Sequence, residues 1–164
     1  MSINYTPHTF VSSELVTAST MNTEINSAFT GVQAAWTSYT PVWASTGTAP
    51  SLGNGTLTGF YMRVGKTMQY RISLVAGSTT TFGTGSYTFT APVGPNTPAL
   101  AAAGDVTIWD NSASTIYGFT AAFTNANTNT VTAYSGTGTR LGATVPVTLA
   151  TTDQVSIVGT FEAS

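Results

Sequence analysis

Cysteine does not occur anywhere in these 164 residues. Disulfides and thiolate metal sites are excluded with it, and stability has to come from packing or association. Charge is almost as scarce: four Lys/Arg and six Asp/Glu leave a net charge of −2. Nucleic-acid binding depends on Lys and Arg set against phosphates, so this balance argues against such a partner. Histidine occurs once, at His8. A Ser–His–Asp triad would have to be built around it, yet no Gly-x-Ser-x-Gly elbow is present. Metal sites made of His or Cys need several such ligands. We therefore read His8 as an arm residue making an ordinary contact, and expect no enzyme, no metal and no cofactor. No apolar run approaches the roughly 20 residues of a membrane span, so no membrane insertion is expected. The opening MSINYTPHTF has neither a basic region nor an apolar core, and no signal peptide is expected from it.

The acids that do occur are dispersed. Asp105 and Asp110 are the only close pair, and with Asn111 the only oxygen ligands grouped in sequence. They lack the Asp-x-Asp-x-Asp-Gly spacing of a calcium loop and read as a solvated turn. Two carboxylates a few ångström apart, as glycoside hydrolysis needs, are not indicated. Gly53, Gly55 and Gly59 lack the Lys-Ser/Thr and helix that complete a phosphate-binding loop.

What is abundant is threonine, about a fifth of the chain, with 16 glycines. Thr suits a pleated, half-buried surface, and Gly suits tight turns. Either a Thr/Ser coat solvates the surface, or copies of the same chain cover much of it. Weakly charged surfaces tend to associate, and we expect the second.

The chain reads as one domain with a short appendage. The first dozen residues hold Pro7 and no periodicity, which predicts an extended arm. Ala18, Met21, Ile25, Ala28, Val32 and Ala35 then follow at 3-4-3-4-3 spacing, a heptad seam on a helix over about 18–35. Phe29 widens its apolar face, Thr17 is placed to cap it, and Gly31 weakens it by about 1 kcal/mol relative to Ala. An isolated helix of this length barely holds in water, so it needs a partner. The partner is either its own domain or copies of itself in a short parallel bundle.

From Trp36 onward the period becomes two. In 67–75, Met68, Tyr70, Ile72 and Leu74 alternate with Thr67, Gln69, Arg71 and Ser73. A strand over 57–64 joins it through Gly65-Lys66, where Gly in first position suits a type II′ turn. Further strands are predicted at 38–44, 85–91, 105–110, 115–123, 130–135, 144–149 and 154–162. Glycine- and asparagine-rich turns separate them, with 124–130 read as a long hairpin loop. Eight or nine short strands at this spacing predict a sandwich or jelly roll. No internal repeat points to a propeller or β-helix.

Trp36, Trp43, Trp109, Tyr117, Phe119, Phe123 and Tyr134 are either core and subunit-interface residues or, in part, a sugar-stacking platform. Trp43, Trp109, Tyr117 and Tyr134 are carried forward as candidate surface or interface contacts, together with Arg63 and Arg71. The two arginines lie close in the hairpin with Lys66. They either pair with acids of a neighbouring subunit or keep a sheet edge soluble.

Two segments carry a family resemblance. Thr17-Ala18-Ser19-Thr20-Met21-Asn22-Thr23 resembles the opening found ahead of a short helix in many phage fibre and tail proteins. Within 36–92, an ordered set is similar to a surface module of tailed bacteriophages, especially those of actinobacteria. Its pieces are Trp36-Thr37-Ser38-Tyr39-Thr40-Pro41, Leu52-Gly53-Asn54-Gly55-Thr56-Leu57-Thr58-Gly59, Val64-Gly65-Lys66 and Gly83-Thr84-Gly85-Ser86-Tyr87-Thr88-Phe89. Asp153 to Phe161 fits the module's usual close. The Gly-x-Tyr-x-Phe strand is also similar to trimeric C1q/TNF-type jelly rolls.

The resemblance implies a non-enzymatic virion structural protein at the virion surface, assembled in the host cytoplasm. It implies a homotrimer of minor tail or fibre type, contacting other virion proteins (tail or major capsid protein) and a host cell-surface glycan. No long shaft is present, which keeps capsid decoration as the alternative; a carbohydrate-binding module is the alternative of another class. The expected fold is mainly β: a jelly-roll-like β-sandwich over 37–164, preceded by an N-terminal arm and one short α-helix over 1–36. The anchoring and oligomerising residues are then Ala18, Met21, Ile25, Ala28, Phe29, Val32 and Ala35.

Overall fold

The computed structural model describes residues 8–32, 35–96, 101–123, 129–135 and 138–164. Residues 1–7 of the arm expected over the first dozen, the tip of the 124–130 loop and part of the turn at Gly136-Thr137-Gly138 lie outside the described residues.

One helix, α1 (Ala18–Val32), precedes nine strands. Thr17 caps it as expected: its hydroxyl oxygen accepts the Thr20 N–H at 3.1 Å. Ala35, the last seam position, falls beyond the helix in irregular chain. The strands are β1 (Thr37–Tyr39), β2 (Trp43–Ser45), β3 (Thr56–Val64), β4 (Thr67–Val75), β5 (Tyr87–Thr90), β6 (Ala101–Asp110), β7 (Thr115–Phe123), β8 (Thr130–Tyr134) and β9 (Gln154–Glu162). They form one sheet in the order β1-β3-β4-β9-β6-β7-β8-β5-β2, with every pairing antiparallel. The fold is mainly β, as the alternation predicts.

The β3–β4 hairpin follows its sequence closely. Val64 pairs with Thr67, leaving Gly65-Lys66 as a two-residue turn. Gly65 has φ +58° while Lys66 keeps an ordinary φ, the combination of the type II′ turn.

Two expected strands are corrected. The stretch 38–44 is divided, because Pro41 offers no N–H for a ladder. On one side of it β1 pairs with β3; on the other β2 pairs with β5, at the far edge of the sheet. Three residues span at most about 10 Å. A sheet whose two edge strands are that close in the chain has to curl until its edges meet. Thr90 of β5 closes the gap: its N–H donates to the Val42 carbonyl at 3.1 Å, and its hydroxyl accepts the Val42 N–H at 2.8 Å.

The segment 144–149 is not a strand. Pro146 again lacks the donor, and a tight turn bridges Gly142 to Val145. Its apolar residues serve packing instead, with Leu149 buried beside Leu141 in the same core cluster.

The concave side of the curled sheet is the core. Met68, Tyr70, Ile72 and Leu74 share one buried cluster with Phe89, Val106, Ile108, Phe123, Val131, Val155 and Ile157. Each such side chain contributes about 1.5–3 kcal/mol when fully buried. Phe161 lies edge-on to both Tyr70 (5.6 Å between ring centroids) and Phe123 (4.9 Å). Above them β6 bulges between Ala102 and Gly104. The Ala103 carbonyl turns onto Gly159, where any Cβ would overlap it, and accepts the Tyr70 hydroxyl at 3.0 Å.

Many threonines that read as surface coat bind loops instead. Thr84 Oγ1 accepts the Thr48 N–H at 2.9 Å, and Thr79 Oγ1 accepts the Asn54 N–H at 2.9 Å.

Candidate interaction surfaces

The helix presents a bare apolar stripe. Met21, Ile25 and Phe29 are 42%, 47% and 59% exposed, and Ala18, Ala28 and Ala35 are exposed beside or beyond them. Phe10, Val11, Leu15 and Val16, in the segment leading into α1, are exposed as well. Helix α1 forms no extensive interface with any strand. Val32 lies at the last helical position, and its side chain is outside the described residues.

The segment before α1 folds back rather than extending. The His8 N–H donates to Glu24 Oε2 at 3.1 Å, and the His8 ring Nε2 lies 2.7 Å from Glu14 Oε1. Glu14 Oε2 accepts the Val11 N–H at 3.0 Å. That backbone hydrogen bond first, and the His8 ring second, hold the Glu14 carboxyl below the usual carboxylate range.

The candidate aromatics go to different places. Trp43 is core: it packs edge-on against Tyr87 at 5.2 Å and Phe82 at 6.3 Å, and its Nε1 N–H is buried without an acceptor among the described residues. Tyr117, opposite Ile108, packs against the core from a half-buried position. Trp109 is half-buried on the convex side, donating from Nε1 to Asn111 Oδ1 at 3.3 Å, with the exposed Ile116 as its register partner. Tyr134 is half-buried under the Arg140 guanidinium, 5.3 Å from its ring. Arg140 borders a groove of about 530 Å³ between residues 83–86 and 138–145 at one end of the sheet.

The basic residues of the hairpin are separated. Arg63 pairs with Met68 and shares its face, donating from Nε to the Gly65 carbonyl at 2.8 Å. Arg71 pairs with Phe60 on the opposite, convex face. The two-residue turn holds the information for this: it sets Arg63 opposite Met68, and Arg71, three residues on, points the other way. Lys66 lies 3.7 Å from Glu162 in an exposed ion pair. Arg71 instead lies against two rings, 4.9 Å from Phe60 and 5.2 Å from Trp36. No local pattern announces that contact, since Trp36 reaches Arg71 only through the β1–β3 pairing.

The close pair in sequence, Asp105 and Asp110, does not converge: Asp105 is exposed and Asp110 buried. Asp110 Oδ1 accepts from the Ser112 hydroxyl at 2.8 Å and the Ala113 N–H at 3.0 Å, which hold its pKa below the usual range. Asp153 binds the Asn111 N–H at 3.0 Å and the Ala150 N–H at 2.8 Å. Asp105 is exposed on β6, away from both. Among the described residues no three His, Asp or Glu side chains group as metal ligands, and no helix is long and apolar enough to cross a membrane. No family model matches the chain, and no curated protein or solved structure matches it either.

Proposed function

We propose that this chain is a non-enzymatic structural protein of a tailed-bacteriophage virion, displayed at the particle surface as a homotrimer of minor tail or fibre type. The observation that carries the reading is the bare seam of α1. Met21, Ile25 and Phe29 are exposed on a helix without an extensive interface to its own sheet, ahead of a β core that is already filled. A heptad seam without charge is what a parallel bundle of identical helices buries. The resemblance of residues 17–23 and 36–92 to phage surface modules supports the same assignment. In this reading α1 anchors and counts the copies, and the curled sheet, with its two halves facing as in a jelly roll, is the displayed part.

Capsid decoration is the second reading, favoured by the shortness of α1, which spans 15 residues. Cryo-electron microscopy of the assembled particle separates the two by where the density sits.

Sedimentation equilibrium at micromolar concentration tests the assembly. A trimer is expected, and Ile25→Asp should turn it into a monomer with the β-type circular dichroism intact. A wild-type chain that sediments as a monomer would remove the reading.

A further inference from the structure

The convex face of β3, β4 and β9 carries two neighbouring rows of side chains in register. Phe60, Arg71 and Val158 form one row; Thr58, Ser73 and Ser156 form the next. Together they line a shallow groove of about 400 Å³. Arg71 is held by Phe60 and Trp36 but has no carboxylate. Among the described residues the ion pairs are His8–Glu14 and Lys66–Glu162. Asp105 lies across Val158 in the register, two strands and therefore roughly 10 Å away. The hydroxyls of Thr58, Ser73 and Ser156 have no hydrogen-bond partner among the described residues.

Each part of this arrangement selects a chemistry. A guanidinium resting against aromatic rings and paired with no carboxylate keeps N–H donors free for one, which its planar fork takes bidentately. Phe60 and the exposed isopropyl of Val158 offer an apolar floor to the C–H face of a pyranose. The hydroxyl row, on adjacent strands about 4.8 Å apart, matches the spread of hydroxyls along a sugar. A neutral sugar would leave the fork unused, and a bare carboxylate would leave the hydroxyl row unused.

We propose that this groove binds a carboxylated carbohydrate, a uronic-acid-type residue of an acidic glycan. Arg71 holds the carboxylate, Phe60 and Val158 contact the ring face, and Ser73 and Ser156 meet the sugar hydroxyls. The inference goes beyond the assembly reading, because all of these residues lie in one copy of the chain. Ile25→Asp, which tests the trimer, leaves the groove untouched, so either proposal can fail without the other.

The test is an NMR titration of the full chain with tri-galacturonic acid, with maltotriose as the neutral control and glutarate as the carboxylate-only control. Tri-galacturonic acid is expected to bind roughly tenfold more tightly than either control, shifting the Ser73 and Ser156 amides. Arg71→Gln should weaken it by roughly tenfold, and Arg71→Lys by less, since Lys keeps the charge without the fork. Arg71 is exposed, so both variants should retain the wild-type circular dichroism and melting temperature. Equal binding of maltotriose or glutarate would overturn the proposal. So would undiminished binding by folded Arg71→Gln, or no shift at about 10 mM ligand.

Discussion

The Tyr39 hydroxyl donates to the Thr90 carbonyl at 3.2 Å, joining strand β1 at one edge of the sheet to strand β5 beside the other. With the Val42–Thr90 hydrogen bonds it turns a nine-stranded ribbon into a curled shell. Open sheet edges invite pairing with other chains. Here both edge strands are three residues long and tied to each other's neighbourhood. Pairing through the edges is thereby disfavoured.

Among the described glycines, an added side chain would meet its nearest backbone atom at Gly159, where it would enter the Ala103 carbonyl. Gly159→Ala must push β9 from β6 in the middle of the sheet. A loss of more than about 2 kcal/mol is expected by urea denaturation. Tyr70→Phe, which removes only the hydrogen bond to the same carbonyl, should cost about 1 kcal/mol.

Alkali should unfold the protein cooperatively. Burial pushes the hydroxyls of Tyr39, Tyr70 and Tyr87 well above the ordinary phenol range. Below the unfolded value, about pH 10, both states are protonated and stability is flat. Above it only the unfolded chain releases these protons, so stability falls as pH rises. Tyrosinate absorbance should show the exposed phenols titrating first, with these three appearing only as the β signal in circular dichroism disappears. Full ionisation of a still-folded chain would contradict this.

Acid has the opposite sign. The Asp110 carboxyl is held low by the Ser112 hydroxyl and the Ala113 N–H. Its contribution is present above the ordinary carboxylate value, about 4, and is lost as pH falls through the folded value. Asp110→Asn should flatten the acid limb of a stability-versus-pH curve. Asp153→Ala removes the acceptor for two backbone N–H groups from separate loops. It should cost about 2–4 kcal/mol at neutral pH, measured by denaturant midpoint.

Helix and sheet should respond separately. Thr17→Ala removes the N-cap hydrogen bond and should cost the helix about 1 kcal/mol. With monomeric Ile25→Asp as background, the helical circular dichroism at 222 nm should drop while the β-sheet melting temperature stays within about 1 °C. A matching fall in both would show that α1 is coupled to the sheet.

Much of the local structure was legible. The β4 alternation, the Gly65-Lys66 turn, the Thr17 cap and the limits of β7 and β9 all follow from patterns a few residues long. The opposite facing of Arg63 and Arg71 was also legible by counting from the turn, although proximity in sequence suggested a cluster. The splitting of 38–44 was not, because the apolar alternation continues across Pro41 and gives no sign that its two halves belong to opposite edges. The segment 144–149 misled for a related reason: its apolar residues are needed in the core, but Pro146 and the Gly142–Val145 turn use them outside a ladder.

Composition and periodicity were enough to establish a β-rich chain with one amphipathic helix, no disulfide and little charge. Those properties depend on side-chain period and on residue chemistry, which are local. Only the tertiary structure decided that β9 lies between β4 and β6, that Trp43 is buried, that Met21, Ile25 and Phe29 of α1 stay exposed, and that Trp36 and Phe60 meet Arg71. Each of these depends on which strands pair across long stretches of chain. That choice is made by the whole core packing at once, and no short segment carries it.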